Sequence, residues 1–310
     1  MTSWRLVADV GGSNVRFARS EAPRRLEGWR SYPLRDHESF YSALTVFLDE
    51  SGGARGCASA AIGVAGPVDD GRVKLTNAPW TIEAAEVCKL LDGAPARLVN
   101  DLQAVAYMLP FLADEELIPI GQARRSLAPP RNMLAVNVGT GFGAALAIPA
   151  EGGWIANPGE PGHMSLGVVD KADLGLLEKP RSVEDLLSGR GLPLLYNTLA
   201  HHAGRPAVPD IGGARIFASA GEDPVAAETV RHFSRLLGRI AGDLALAMAA
   251  WGGVYLCGSV VNGWAAAGGT AHFREPFEAK SIMAERMRGV YSGIITRDDA
   301  ALIGLTYLPV

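Results

Sequence analysis

Cysteine is scarce and unpatterned. Only Cys57, Cys88 and Cys257 occur in 310 residues, an odd and scattered set. That argues against a disulfide framework and for free thiols in a reducing compartment, and the absence of C-x-x-C or a Cys/His cluster argues against a structural zinc site. Aromatic residues are few at 7%, while hydrophobic residues reach 48%, so the expected core is globular, aliphatic and alanine-rich. Positive charge is not in excess. A net charge of −4 provides no basic field for a nucleic acid. No signal-peptide pattern precedes the first strand, and a strand that begins within a few residues of Met1 leaves no room for an N-terminal helix-turn-helix. One uncharged run, Leu244 to Val261, is long enough to suggest a membrane span. Gly252-Gly253 interrupts it, so it reads as helix, turn and strand. A cytoplasmic protein without membrane or nucleic-acid partners is expected.

Glycine, by contrast, is plentiful, with 37 residues, several of them clustered at two places. In Leu6-Val7-Ala8-Asp9-Val10-Gly11-Gly12-Ser13-Asn14-Val15-Arg16-Phe17-Ala18 an apolar strand meets a tight turn and returns. Paired glycines let successive backbone amides point into one concavity, an anion nest suited to a phosphate chain. Ser13 and Asn14 add side-chain donors, and Asp9 is placed to hold a hydrated Mg²⁺ against such phosphates. Leu134-Ala135-Val136-Asn137-Val138-Gly139-Thr140-Gly141-Phe142-Gly143-Ala144-Ala145-Leu146 aligns with this stretch without a gap. Two such loops predict an internally duplicated nucleotide-binding fold with a cleft between its halves. Neither carries the lysine of a P-loop, and the second lacks dinucleotide G-x-G-x-x-G spacing.

Between and after the loops, Glu21 to Tyr32 predicts a connection and an edge strand, and Ser39 to Glu50 a helix with a core-facing stripe. Ala58 to Val64 predicts a buried strand, and Val68 to Val73 a hairpin through Asp70-Gly71. Trp80 reads either as packing or as a wall for a sugar ring. In Arg97-Leu98-Val99-Asn100-Asp101-Leu102 a buried strand ends in two polar residues before a helix. Asp101 there is either a helix cap or a carboxylate that deprotonates a hydroxyl. Glu160 and His163 sit in a Gly/Pro-rigid loop, too few for a metal but apt for neighbouring hydroxyls. Ser182 and Asp185 have capping-box spacing, so Glu184 reads by default as an acid at a helix start. Val225 to Ala250 predicts a long helix, Val254 to Gly258 a strand, Gly258-Ser259-Val260-Val261 a turn, Phe273 to Met287 an amphipathic segment, and Asp298 to Leu308 a terminal helix packing on the first domain.

As a set, these stretches resemble the bacterial glucokinase family, the zinc-free group of the sugar kinase, Hsp70 and actin superfamily. The matching runs are Asp9 to Asn14, Leu75 to Trp80, Leu98 to Leu102, Val138 to Gly143, Gly159 to His163, Leu186 to Leu192 and Tyr255 to Ser259. Ser13 stands where the family usually has threonine, and Ala8 where glycine is common. The resemblance implies an α/β fold of two RNase H-like, actin-like ATPase domains around a central active-site cleft. The smaller domain would comprise 1–110 plus 298–310, and the larger 111–297. It implies a homodimeric glucokinase that carries the γ-phosphoryl of ATP, with Mg²⁺ and no zinc, to the 6-hydroxyl of glucose at the entry to glycolysis. By that likeness Asp101 is the general base, and Asn100, Glu160, His163 and Glu184 bind the other hydroxyls. Ala8, Asp9, Val10, Gly11, Gly12, Ser13 and Asn14, with Gly139 and Thr140, surround the ATP phosphates, with Asp9 reaching the metal through water. Gly258 and Ser259 lie near the nucleoside. Another hexose kinase, a sugar sensor, and an ATPase without a small acceptor are the competing readings.

Overall fold

In the computed structural model, which describes residues 3–75, 78–167 and 181–310, the first apolar run is β1 (Trp4–Val10). Thr76 and Asn77 of the Leu75–Trp80 stretch lie outside the described residues. The chain returns antiparallel as β2 (Asn14–Ala22), and β3 (Arg25–Pro33) pairs beyond it as a largely exposed edge strand. On the other side of β1, β4 (Cys57–Val64) runs parallel, followed by the short hairpin β5 (Arg72–Lys74) and β6 (Thr81–Glu83), and then by parallel β7 (Ala96–Asn100). The resulting five-stranded order is β3-β2-β1-β4-β7. β1 and β4 are buried along most of their length, as central strands covered on both faces must be. The Asp70-Gly71 turn forms as its sequence predicts. Both residues have positive φ, and the Asp69 and Arg72 amides exchange bonds with each other's carbonyls at 2.9 and 2.8 Å.

Helix α1 (Phe40–Ser51) starts on a capping box in which the Ser42 amide donates to Ser39 Oγ at 3.1 Å and the Ser39 amide to Ser42 Oγ at 3.2 Å. Phe40, Ala43, Leu44, Phe47 and Leu48 form its buried stripe, and Phe47 stacks on Phe17 with ring centroids 5.3 Å apart. After α2 (Ala84–Leu90), helix α3 (Asp101–Met108) leaves the end of β7.

The second sheet contains β8 (Leu117–Pro119), β9 (Met133–Val138), β10 (Phe142–Ala150), β11 (Gly153–Gly159), β12 (Val254–Cys257) and β13 (Ser292–Ile295) in the order β11-β10-β9-β12-β13-β8. β9 and β10 form an antiparallel hairpin, and β12 lies parallel to both β9 and β13. The run β10-β9-β12-β13 therefore repeats β2-β1-β4-β7, and the sequence duplication is a duplication of topology. The helices here are α4 (Gly191–His202), α5 (Gly213–Ser219), α6 (Pro224–Ala247), α7 (Ser259–Ala266), α8 (Arg274–Glu278) and α9 (Ala284–Arg288). The uncharged run at 244–261 divides into the end of α6, a turn and β12. Among the described residues no helix is long and apolar enough to cross a membrane.

Asp223 caps α6 by accepting from the Val225 amide at 3.0 Å, and it also accepts from the Tyr196 hydroxyl and Arg205 Nη1, each at 2.7 Å. The Tyr196 hydroxyl above all holds this carboxyl below its ordinary pKa. A depressed folded-state pKa stabilises above the ordinary carboxylate value of about 3.9 and loses that contribution as pH falls through the folded value. Asp223→Ala should therefore cost about 1 kcal/mol in urea unfolding near neutral pH. The difference from wild type should shrink at about pH 3.

Two compact units result. The first comprises Met1–Leu112, Trp154–Pro158 and Arg297–Val310, and the second Ala113–Gly153 and Gly159–Thr296. The expected division kept 111–297 uninterrupted, whereas Trp154–Pro158 belongs to the first unit. Gln103 of α3 donates from Nε2 to the Ala156 carbonyl there at 2.7 Å. The terminal helix α10 (Ala300–Leu305) packs on α3, where Gly304 lets the two backbones approach; a methyl group at 304 would overlap the Ala104 carbonyl.

Two further segments differ from expectation. The helix expected from Ser182 forms turns up to Arg190 instead, and α4 begins at Gly191. The capping bonds are present, since Asp185 Oδ2 accepts from the Arg181 and Ser182 amides at 2.8 and 3.0 Å. The chain nevertheless turns, because the Gly189 amide is drawn to the Gly139 carbonyl at 2.8 Å and Gly191 packs on the Leu186 backbone. The turn expected at Gly258 is the start of α7.

Candidate functional site

The first loop is shaped by the β1–β2 register. The Gly11 amide donates to the Asn14 carbonyl at 2.9 Å, leaving Gly12, Ser13 and Asn14 exposed at the tip. With Pro33, Leu34, His37 and Trp80 among the lining residues, the tip borders a cavity of about 670 Å³ within the first unit. Trp80 itself is only 2% exposed, so its ring is a packing element. Ala8 and Val10 are fully buried in β1 and serve the loop as framework.

Asp9 is 6% exposed and faces Arg16, its cross-strand partner. Arg16 donates to Asp9 Oδ2 from Nε at 3.1 Å and also from Nη2, and its Nη1 donates to the Asp298 carbonyl at 2.7 Å. Sequence reasoning missed Arg16. The signal was present, because a turn that pairs Val10 with Val15 necessarily places Asp9 opposite Arg16, a favourable cross-strand charge pair. A single carboxylate so anchored fits a hydrated cation that arrives with a nucleotide's phosphates, not a protein cage. Among the described residues no group of three or more His, Cys, Asp or Glu side chains is placed to hold a metal.

The second loop is one residue tighter: Val138 pairs with Phe142, and the Gly139 amide donates to the Gly141 carbonyl at 3.0 Å. Gly258 (φ 104°) approaches it so closely that a methyl group there would overlap Asn137 Oδ1 and the Val138 carbonyl. A Cβ on Gly139 would lie 3.9 Å from Ser259 Oγ. Gly139 and Thr140 are thereby brought together with Gly258 and Ser259.

At the end of β7, Asn100 is the helix cap and not Asp101. Asn100 Oδ1 accepts from the Leu102 and Gln103 amides at 3.0 and 3.3 Å, and Nδ2 donates to the Gly66 carbonyl at 3.3 Å. Asp101 is the first helical residue, half-buried, with Oδ1 accepting from the Leu102 amide at 2.8 Å. Asn100 thus fixes the helix start that presents the carboxylate. Asn100→Ala should cost about 1 kcal/mol, and Asn100→Asp, which retains the cap but loses the donor to the Gly66 carbonyl, should recover only part of it in urea unfolding.

Glu160 and His163 flank a 3-10 turn at Pro161–His163, and both are exposed. Glu184 joins them through backbone pairing, its amide donating to the Gly162 carbonyl at 2.9 Å. It does not sit at a helix start, so the helix-dipole reading falls. Its Oε2 accepts from the Phe142 amide at 3.0 Å, and its Oε1 pairs with Arg190 Nη2 at 2.6 Å. Glycine is required at 162, where a Cβ would strike the Phe142 carbonyl, and a Cβ at 141 would displace the Glu184 carboxylate from its place. Glu160, His163 and Glu184 therefore share one neighbourhood with the second loop. Arg190 was not legible from any periodicity.

Comparison with known proteins identifies the family. A family model described as Glucokinase matches residues 6–309. A glucokinase of Cupriavidus metallidurans is 34% identical over 97% of this chain and 91% of its own length. The crystal structure of a glucokinase from an Antarctic psychrotroph superposes with a TM-score of 0.86 at 30% identity, covering 99% of this chain and 98% of that one. At 20% identity, a ROK family glucokinase from Streptomyces griseus, solved with glucose and AMPPNP, shares the fold with a TM-score of 0.64, over 98% of each chain. The chain belongs to the glucokinase family of sugar kinases.

Proposed function

We propose that this sugar kinase transfers the γ-phosphoryl group of ATP to the 6-hydroxyl of glucose, giving glucose 6-phosphate and ADP. The observation that carries the reading is the strand end at Asn100–Asp101, where the amide caps the helix and a half-buried carboxylate is presented beside it. The glucose and AMPPNP complex of the Streptomyces griseus protein supports the choice of substrates.

Phosphoryl transfer needs little covalent help from a protein. It needs positioning and charge stabilisation. Asp101 accepts the proton of the attacking hydroxyl. The amides of Gly12 and Thr140 and the side-chain donors of Ser13, Asn14 and Thr140 hold phosphate oxygens and stabilise charge that grows on them, while the Gly11 and Gly139 amides close the two turns that surround the phosphates. Gly258 and Ser259 border the nucleoside. Glu160, His163 and Glu184 take the remaining hydroxyls, and Asn100 acts on the sugar while capping α3. Asp9, fixed by Arg16, would hold Mg²⁺ through water. That ion, when bound, neutralises charge on the nucleotide phosphates. The reading extends to a cytoplasmic homodimer with no zinc and no nucleic-acid or membrane partner.

The test is product identity. Turnover with ATP and glucose should yield glucose 6-phosphate, read by phosphorus NMR and by glucose-6-phosphate dehydrogenase. A phosphate on any other hydroxyl, or inorganic phosphate alone, would overturn the assignment.

A further inference from the structure

Arg190 lies in the turn before α4 and is tied by its side chain to Glu184. The turn itself is fixed without it. Ser188, fully buried, donates from Oγ to the Glu184 carbonyl at 2.7 Å and accepts from the Gly191 amide at 3.1 Å. The Gly189 amide binds the Gly139 carbonyl of the second loop at 2.8 Å. These bonds set the backbone on both sides of Arg190 and bring it to the carboxylate. Its side chain is 69% exposed, and that of Glu184 20%. An ion pair this open to water contributes little to folding.

The geometry at Glu184 gives the pair another use. One carboxylate oxygen is held by the Phe142 amide and the other by the Arg190 guanidinium. With a single anchor the carboxylate pivots about the bond to Phe142. With two, its plane is fixed, and its remaining lone pairs keep one direction. The carboxylate occupies the space that a side chain on Gly141 would take, so it lies against the second loop.

We infer that Arg190 is a positioning residue for the sugar. It orients the Glu184 carboxylate so that this group accepts hydrogen bonds from the substrate's hydroxyls. The inference rests on Glu184 being a sugar ligand, as in the proposed function. The guanidinium acts through Glu184, so its effect falls on sugar affinity and spares both the nucleotide and the chemical step.

Full-length wild type, Arg190→Ala and Arg190→Lys are compared by calorimetric titration with glucose and by steady-state kinetics with ATP and glucose. For Arg190→Ala, the glucose Kd and KM should rise about tenfold, the scale of one misaligned charge-assisted hydrogen bond. Its kcat should stay within about twofold and its KM for ATP unchanged, because its guanidinium pairs with Glu184, a group assigned to the sugar. Arg190→Lys should restore part of the sugar affinity. Tm should move by less than about 2 °C, which separates this role from a structural one. Unchanged glucose affinity in Arg190→Ala would overturn the role, as would an equal rise in the KM values for ATP and glucose. Wild-type protein that binds no glucose would overturn the functional reading itself, and the role of Arg190 with it.

Discussion

Asp101→Asn should lower kcat with glucose by about 10²- to 10⁴-fold, the range supplied by a positioned general base. The substitution is nearly isosteric. Its amide oxygen still accepts from the Leu102 amide, as Asp101 Oδ1 does at 2.8 Å, and the helix cap on Asn100 is untouched. The fold and the place of the side chain therefore persist, and what is removed is the ability to take a proton. Glucose affinity should change by only about threefold, since one of several hydroxyl ligands changes from carboxylate to amide. Calorimetric titration with glucose and a coupled kinetic assay on the same preparation separate the two quantities. A variant that retains more than half of wild-type kcat would refute the base assignment.

The second large effect is one of packing. Gly304→Ala should destabilise the protein by about 3 kcal/mol, the upper part of the usual cost of overpacking. The reason is that the new methyl group meets backbone, the Ala104 carbonyl of α3, which cannot rotate away as a side chain would. To accept it, α3 and α10 must separate, and both bury most of their residues. A loss of that size lowers Tm by roughly 5 °C in a chain of 310 residues. Because α3 begins with Asp101, the remaining folded protein should also lose activity. Gly153→Ala is the control, since a Cβ there meets nothing within 4 Å and should leave Tm unchanged. A Tm for Gly304→Ala within about 2 °C of wild type would show that the helices are not held at this contact.

What could be read from sequence was set by local chemistry. Both glycine-rich hairpins were legible because apolar runs flank their turns, and turn chemistry fixes strand direction. Their identical alignment also announced the repeated strand order. The core-facing stripe of α1 was visible in its helical spacing, whereas its capping box between Ser39 and Ser42 was not read. Features that depend on distant partners were not. Asn100 and Asp101 are both good caps in isolation, and only the folded backbone puts Asn100 at the capping position. Ser182 and Asp185 do make capping bonds, yet Gly189 is captured by Gly139, fifty residues earlier in the chain, and the helix starts later. Glu184 therefore left its expected place at a helix start for an anchored position between Phe142 and Arg190. The requirement for glycine at 304 is set by Ala104, two hundred residues away, and no pattern near 304 records it. Arg16 is the opposite case, since the hairpin register alone placed it across from Asp9.

Under the proposed function, turnover depends on a sugar hydroxyl and on the carboxylate at 101. ADP release with Mg²⁺-ATP, measured with glucose, mannose, fructose and no sugar, tests it most directly. Strong dependence on glucose in wild type, lost in Asp101→Asn, is the predicted result. ADP release that proceeds equally without sugar, or that no hexose elicits, would contradict it.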